Sequence, residues 1–162
     1  MLITEFLKLD HARIRKLLEI LETAPGKNRS SEKVRVTAVV RELTALQRVH
    51  EAIEEDILLP VLEKRGAEVE PRVLEEFEAA HKEIWKRLKD LEVCVLQEYP
   101  MNTIARSLEA YATGLRLHMK MEEKSLFPLA DLVLPKTESE RLAETAKRRE
   151  VAVLGAGMAA SQ

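Results

Sequence analysis

The sequence predicts an all-α protein, an up-down-up-down four-helix bundle with a short C-terminal extra helix. Two observations predict it. Of 162 residues, 46% are hydrophobic and 33% charged but only 4% aromatic, with five glycines and six prolines. Leu, Glu, Ala, Lys and Arg dominate, a helix-forming composition that argues against a sheet-based enzyme fold. Four long runs also place apolar residues at alternating steps of three and four, the spacing that puts side chains on one helix face. Short connections between such runs make neighbouring helices antiparallel.

The first run reads Leu7, His11, Ile14, Leu18 and Leu21. It ends at Ala24-Pro25-Gly26-Lys27-Asn28-Arg29-Ser30-Ser31, a loop in which Ser30 or Ser31 is placed to cap the next helix. The second reads Val36, Val40, Leu43, Gln47, His50, Glu54, Ile57 and Val61, and Arg65-Gly66-Ala67 with Pro71 closes it. The third reads Leu74, Phe77, His81, Ile84, Leu88, Leu91 and Val95, up to Tyr99-Pro100. Asn102 or Thr103 is the expected cap of the fourth, which reads Ile104, Leu108, Tyr111, Leu115, His118, Glu122, Ser125, Leu129 and Leu132. Pro60 and Pro128 interrupt the second and fourth runs, where a proline kinks or ends a helix. Leu134-Pro135-Lys136-Thr137 closes the bundle, so residues 1–135 form one domain and 136–162 a C-terminal helix and flexible tail. The helix is expected over 137–150, with Lys147-Arg148-Arg149 as its solvated end and 151–162 frayed. Leu154-Gly155-Ala156-Gly157 follows no strand and does not read as a dinucleotide loop.

Charge and cysteine content narrow the setting. Lys and Arg total 26 against 28 Asp and Glu, a net charge of −2, so no basic excess exists to bind nucleic acid. No stretch approaches the roughly 20 apolar residues of a membrane span. Residues 1–9 carry Glu5 and Lys8 and lack a cleavage signal. The single cysteine, Cys94, reads as a small buried hydrophobe without an internal disulfide partner. A cytoplasmic protein with no membrane or nucleic-acid partner is the expectation; oligomeric state is open.

The chain repeats itself. His50-Glu-Ala-Ile-Glu-Glu-Asp-Ile-Leu-Leu-Pro60 matches His118-Met-Lys-Met-Glu-Glu-Lys-Ser-Leu-Phe-Pro128, both reading H-x-x-x-E-E-x-x-L-[LF]-P. His11, Ile14, Leu18 and Leu21 likewise match His81, Ile84, Leu88 and Leu91. Each half is a helical hairpin with one lone histidine and one His-x-x-x-Glu. The midpoints of His11 and His50, His50 and His81, and His81 and His118 all fall on the expected turns. In antiparallel neighbours that sets all four histidines at one level, on inward seams. Glu54 and Glu122 lie one turn further on, on two parallel helices, completing a box of four imidazoles and two carboxylates. A lone histidine on an apolar face is ordinarily a hydrogen-bonded core residue. Four at one level with two buried glutamates and no Lys or Arg on those seams are better explained by metal cations, which remove the cost of burying the carboxylates.

Four His and two Glu exceed the four ligands of a structural zinc site. Two metals, each with two imidazoles and both bridged by Glu54 and Glu122, use every donor. Each then has room for an oxo or hydroxo bridge or an exogenous ligand. Mixed imidazole and carboxylate donors suit iron best and manganese second. Helical bundles that carry di-iron sites in their cores are a recurring arrangement.

At Asp10-His11, the two His-x-x-x-Glu-Glu segments and Ala80-His81, the sequence resembles the hemerythrin-like family, the HHE cation-binding domain, over about residues 2–135. The resemblance implies a non-haem di-iron centre that meets dioxygen, nitric oxide or peroxide. It also implies His11, His50, Glu54, His81, His118 and Glu122 as metal ligands. Oxygen-carrying members have a further histidine where this chain has Trp85. They use the acidic residue five after the last histidine, here Glu123, but Glu122 keeps the seam. The resemblance therefore favours the four-His, two-Glu branch, which includes iron–sulfur repair proteins and an iron-sensing ligase subunit. The cysteine-bearing N-terminal domain usual in the repair proteins is not seen here. It implies a protein that binds or senses a small ligand or iron, with peroxide or nitric oxide detoxification or iron–sulfur cluster repair as the enzymatic alternative. Glu51 matches an acidic position of the iron-sensing relatives and reads either as an extra ligand or as a solvated helix residue. Around the site, Tyr111 reads as a hydrogen-bond donor to a bound ligand or as core. Gly114 allows close packing or opens space beside the metals, and Trp85 reads as core rather than cofactor-facing.

Overall fold

The strict apolar spacing of the first run produces α1 (Ile3–Thr23), whose Leu7, Ile14, Leu18 and Leu21 are all buried. α2 (Ser30–Ile53) continues through a π-helical turn (Glu54–Leu58) into α3 (Leu59–Glu63) as one rod. α4 (Pro71–Leu96) returns, beginning on a proline, whose fixed φ and missing N–H suit a helix's first residue. α5 (Met101–Met121) passes through a second π-helical turn (Glu122–Leu126) into α6 (Phe127–Val133). α7 (Lys136–Ala159) completes the chain. α1 neighbours α2, α2 neighbours α4, α4 neighbours α5 and α5 neighbours α1, so the four rods close a bundle. The computed structural model describes residues 1–23, 30–65 and 71–159. The loop over 24–29, the turn over 66–70 and the side chains of Ser30, Ser31 and Leu74 lie outside the described residues.

The two prolines act through the π turns. In an α-helix the ring of Pro60 would strike the carbonyl of Asp56, and that of Pro128 the carbonyl of Lys124. The chain instead widens by one residue. Leu59 N–H donates to the Glu54 carbonyl and Phe127 N–H to the Glu122 carbonyl, so the rods continue without ending. The extra residue also turns each rod's buried face. Beyond Glu54 the core takes Leu58, Leu59 and Leu62, while Ile57 and Val61, expected on the seam, are half-buried. Beyond Glu122 it takes Leu126, Phe127, Ala130 and Leu134. Ser125 is exposed, Leu129 half-buried and Leu132 82% exposed, against the expected seam.

The turn between α4 and α5 is closed by backbone rather than by side-chain caps. Tyr99 N–H donates to the Cys94 carbonyl and Glu98 N–H to that of Val95, a Schellman closure with Glu98 at φ 52°. α5 then starts at Pro100, whose carbonyl accepts from Thr103 and Ile104. Asn102 and Thr103 therefore lie inside the first turn and are not its cap.

α7 is longer than expected: helix continues through 151–159, most of the segment read as a frayed tail. It lies across α1 and α2, burying Leu142, Ala143 and Ala146 against Phe6, Leu7, Val49 and Ile53. Ser139 Oγ accepts the N–H of Ile3 at 3.1 Å. Lys147-Arg148-Arg149 is mid-helix, and Arg149 pairs with Asp56 of the first π turn while Glu150 pairs with Arg13. Two apolar layers fill the bundle. One gathers Ile14, Leu18, Val40, Leu88, Leu108 and Leu115 toward the loop between α4 and α5. The other gathers Ile3, Leu7, Ile53, Leu62, Phe127 and Ala146 under α7. Between them lies a polar layer.

Candidate metal centre

The alternation that buries leucines along each rod also drives His11, His50, His81 and His118 inward, each at most 3% exposed. Glu54 and Glu122 stand one turn after His50 and His118, where the π turns begin, and both are fully buried. The structure brings all six side chains together. Donor atoms of His11, His50, Glu54 and Glu122 lie within 4.8 Å of one another, and so do those of Glu54, His81, His118 and Glu122. The two glutamates belong to both groups.

Distances place the donors face to face. His11 Nε2 is 3.1 Å from His50 Nε2 and 3.1 Å from Glu122 Oε2. His81 Nε2 is 3.3 Å from Glu54 Oε2 and 3.7 Å from Glu122 Oε1. His118 Nε2 is 2.5 Å from Glu122 Oε1, and His50 Nε2 is 3.6 Å from Glu54 Oε1.

The opposite ring nitrogens fix the tautomers. His11 Nδ1–H donates to Glu123 Oε1 and His81 Nδ1–H to Glu55 Oε1, both at 2.8 Å. An ionised carboxylate only accepts, so each proton sits on Nδ1 and each Nε2 turns a lone pair inward. This explains the doubled glutamate of the repeat. The first Glu enters the donor cluster, and the second grips the lone histidine of the neighbouring helix. Glu123 is also held by Arg15 at 2.8 Å and stands outside the two donor groups.

Such a core fits a cation. Both oxygens of Glu54 and of Glu122, with the Nε2 atoms of His81 and His118, are buried without a hydrogen-bond partner. His11 Nε2 and His50 Nε2 lie 3.1 Å apart, so either a proton on His50 Nε2 or a metal ion must sit between the two nitrogens. Among the described residues, the only cations in ion-pair contact with Glu54 and Glu122 are these histidines. Without metal, protons must fill that role. Burial opposes charge on His50, yet Glu54, Asp10 and Glu122 raise its pKa to about 9. Burial likewise opposes charge on His81, but Glu122 and Glu54 raise it to about 11. Glu122, although buried, is held well below the usual carboxylate range by His11, His118 and His81.

Aromatic rings wall the layer: Phe127 stacks on His11 at 5.3 Å between centroids, and Phe77 meets His118 edge-on at 6.3 Å. The remaining candidates lie further out. Tyr111 is fully buried in the apolar layer with its hydroxyl unpartnered, and burial pushes its pKa up. Trp85 is half-buried against that layer under Arg48, whose guanidinium is 5.4 Å from the ring centroid. Gly114 faces the Arg87 side chain rather than the donor layer: a Cβ there would lie 2.8 Å from Arg87 Nη1, which donates to the Ala110 carbonyl. Cys94 is a half-buried free thiol. Glu51 is not a solvated residue. It is 2% exposed, accepts from Gln47 Nε2 at 2.5 Å, and burial raises its pKa to about 7. It stands outside the two donor groups. The sequence pattern missed Asp10 as a partner of the site. It is 1% exposed with Oδ2 3.6 Å from His50 Nδ1, and its place beside His11 was the available signal.

A helical bundle that buries two interlocked His and Glu clusters defines a metal-binding protein. The family model of the hemerythrin HHE cation binding domain matches residues 2–130, and the chain belongs to that family. No curated protein and no solved structure matches the chain. Among the described residues, no helix is long and apolar enough to cross a membrane.

Proposed function

We propose that the protein is a non-haem di-iron protein that binds or senses a small ligand, namely dioxygen, nitric oxide or peroxide, or iron itself. One observation carries this reading: Glu54 and Glu122 belong to both four-residue donor groups. Two ions, each held by two of the imidazoles and sharing Glu54 and Glu122, would satisfy the inward-facing orphans, namely both oxygens of Glu54 and Glu122 and the Nε2 atoms of His81 and His118. Imidazole and carboxylate without thiolate favour iron, with manganese second. Iron, when bound, supplies reversible redox and ligand-binding chemistry. With four protein donors available to each ion, positions would remain for a small molecule.

The chain's own residues set the conditions. Glu123 and Glu55 hold protons at Nδ1 of His11 and His81, keeping both Nε2 atoms available as ligands. Phe127, Phe77 and the two apolar layers exclude bulk water. Glu55 reaches the surface, where it lines a hollow of about 320 Å³ with Glu63, Glu78 and Lys82, one hydrogen bond from His81. The single cysteine and the cytoplasmic setting expected from it suit a centre kept reducible.

Stopped-flow spectra of the reduced, iron-loaded chain mixed with dioxygen, nitric oxide or peroxide test the proposal. A stoichiometric, stable adduct with one of them is expected. Sustained turnover of peroxide or nitric oxide would replace the binder with a detoxifying enzyme.

A further inference from the structure

The two halves of the repeat differ where they touch the histidines. One residue before His11 stands Asp10, but one before His81 stands Ala80. One residue after His50 stands Glu51, but one after His118 stands Met119. All four positions lie in the polar layer or at its edge: Asp10, Glu51 and Met119 are buried and Ala80 is half-buried.

Three of the four histidines have a carboxylate near Nδ1: Glu123 for His11 and Glu55 for His81 in hydrogen bonds of 2.8 Å, and Asp10 for His50 at 3.6 Å, beyond a direct hydrogen bond. His118 Nδ1 is buried with no hydrogen-bond partner and, unlike His50 Nδ1, has no carboxylate in ion-pair contact among the described residues. The repeat accounts for that gap, because the residue corresponding to Asp10 is Ala80 and carries no carboxylate. An unmatched acceptor exists nearby. Glu51 Oε1 takes the Gln47 amide, while Glu51 Oε2 is buried and unpartnered. α2 packs directly against the antiparallel α4, and Glu51 and Ala80 sit at one level, both beside the histidine layer. By the repeat's correspondence with Asp10, the space that alanine leaves on α4 lies on the side of His118, and His81, His50 and His118 are the charges that act on Glu51. A buried donor and a buried acceptor both left unpaired are uncommon in a native core.

We propose that Glu51 is the carboxylate partner of His118, serving its Nδ1–H directly or through one water as Asp10 serves His50. Glu51 is thus a positioning residue. Gln47 holds one of its oxygens, and the other fixes the His118 tautomer so that Nε2 faces inward. All four histidines are then held by carboxylates, with the fourth drawn from α2 rather than α4. This assignment rests on the reading of the histidines as ligands of two metals.

Zinc alone, added to the full chain, provides the test. The readouts are histidine-ring nitrogen–proton NMR signals and stepwise zinc affinity. Wild type is expected to take two zinc ions and to show four slowly exchanging Nδ1–H signals. Glu51→Met, which copies Met119 of the repeat, should shift or lose the His118 signal alone. It should also weaken one of the two zinc steps about tenfold to a hundredfold. Adding Ala80→Asp should restore both readouts, because it returns a carboxylate to the position of Asp10. An unchanged His118 signal in Glu51→Met would overturn the assignment. So would failure of Ala80→Asp to restore it, which would point to Glu51 touching the metal itself. If wild type takes fewer than two zinc ions, the two-metal reading falls, and this assignment with it.

Discussion

Glu98 pays a conformational cost that its neighbours offset. Its φ of 52° lies in the left-handed region, about 1–2 kcal/mol unfavourable for a residue with a Cβ. The Schellman bonds from Tyr99 and Glu98 hold it there, and its ion pair with Lys33, at 3.6 Å on an exposed side chain, adds little. Glu98→Gly is therefore expected to stabilise the protein by about 1 kcal/mol, measured as a higher denaturation midpoint. A lower midpoint would mean that the side chain matters more than the backbone strain. No glycine or asparagine announces this turn, so the sequence pointed instead to caps at Asn102 or Thr103. The six donor residues were legible because their spacing is that of the core itself. Asp10, Glu55 and Glu123 were harder to read. They act across helices, through distances that no single helix's periodicity contains.

At the scale of elements, the π turns show why the seam was readable up to each glutamate and misread beyond it. A fixed step of three or four carries Ile57, Val61 and Leu129 forward, but one inserted residue hands those places to Leu58, Leu62 and Ala130. Pro60 and Pro128 signalled a disturbance without revealing its form. α7 was misjudged for a different reason. Its buried face is short, Leu142, Ala143 and Ala146, and much of its anchoring is by Ser139, Glu138 and Arg149 to other elements. The family match ends at residue 130, before this helix begins. Removing residues 136–162 nonetheless uncovers the apolar layer beneath it. The truncated chain should lose about 3 kcal/mol or more in chemical denaturation, by the burial of one leucine and two alanines and their neighbours. An unchanged midpoint would show that α7 is dispensable to the bundle.

At the scale of the whole molecule, the metal-free core holds protons in place of cations, and its stability must follow pH. His50 and His81 have folded pKa values raised from 6.5 to about 9 and about 11. A raised histidine contributes fully below its unfolded pKa, and the contribution is lost as pH rises through the folded value. Glu51, raised from 4.5 to about 7, adds a loss of the same sign between those values. The metal-free protein should thus melt at a lower temperature at about pH 9 than at about pH 6.5. The metal-loaded protein should not show this fall, because metal ions bind the deprotonated imidazoles. Equal pH dependence with and without metal would mean that these histidines are not the ligands.

Iron quantification after anaerobic reconstitution tests the central claim most directly. Two irons per wild-type chain are expected, with Glu54→Ala and Glu122→Ala each losing stoichiometric binding of the pair. Less than one iron per wild-type chain, or two irons retained in either variant, would contradict the bridged two-metal centre.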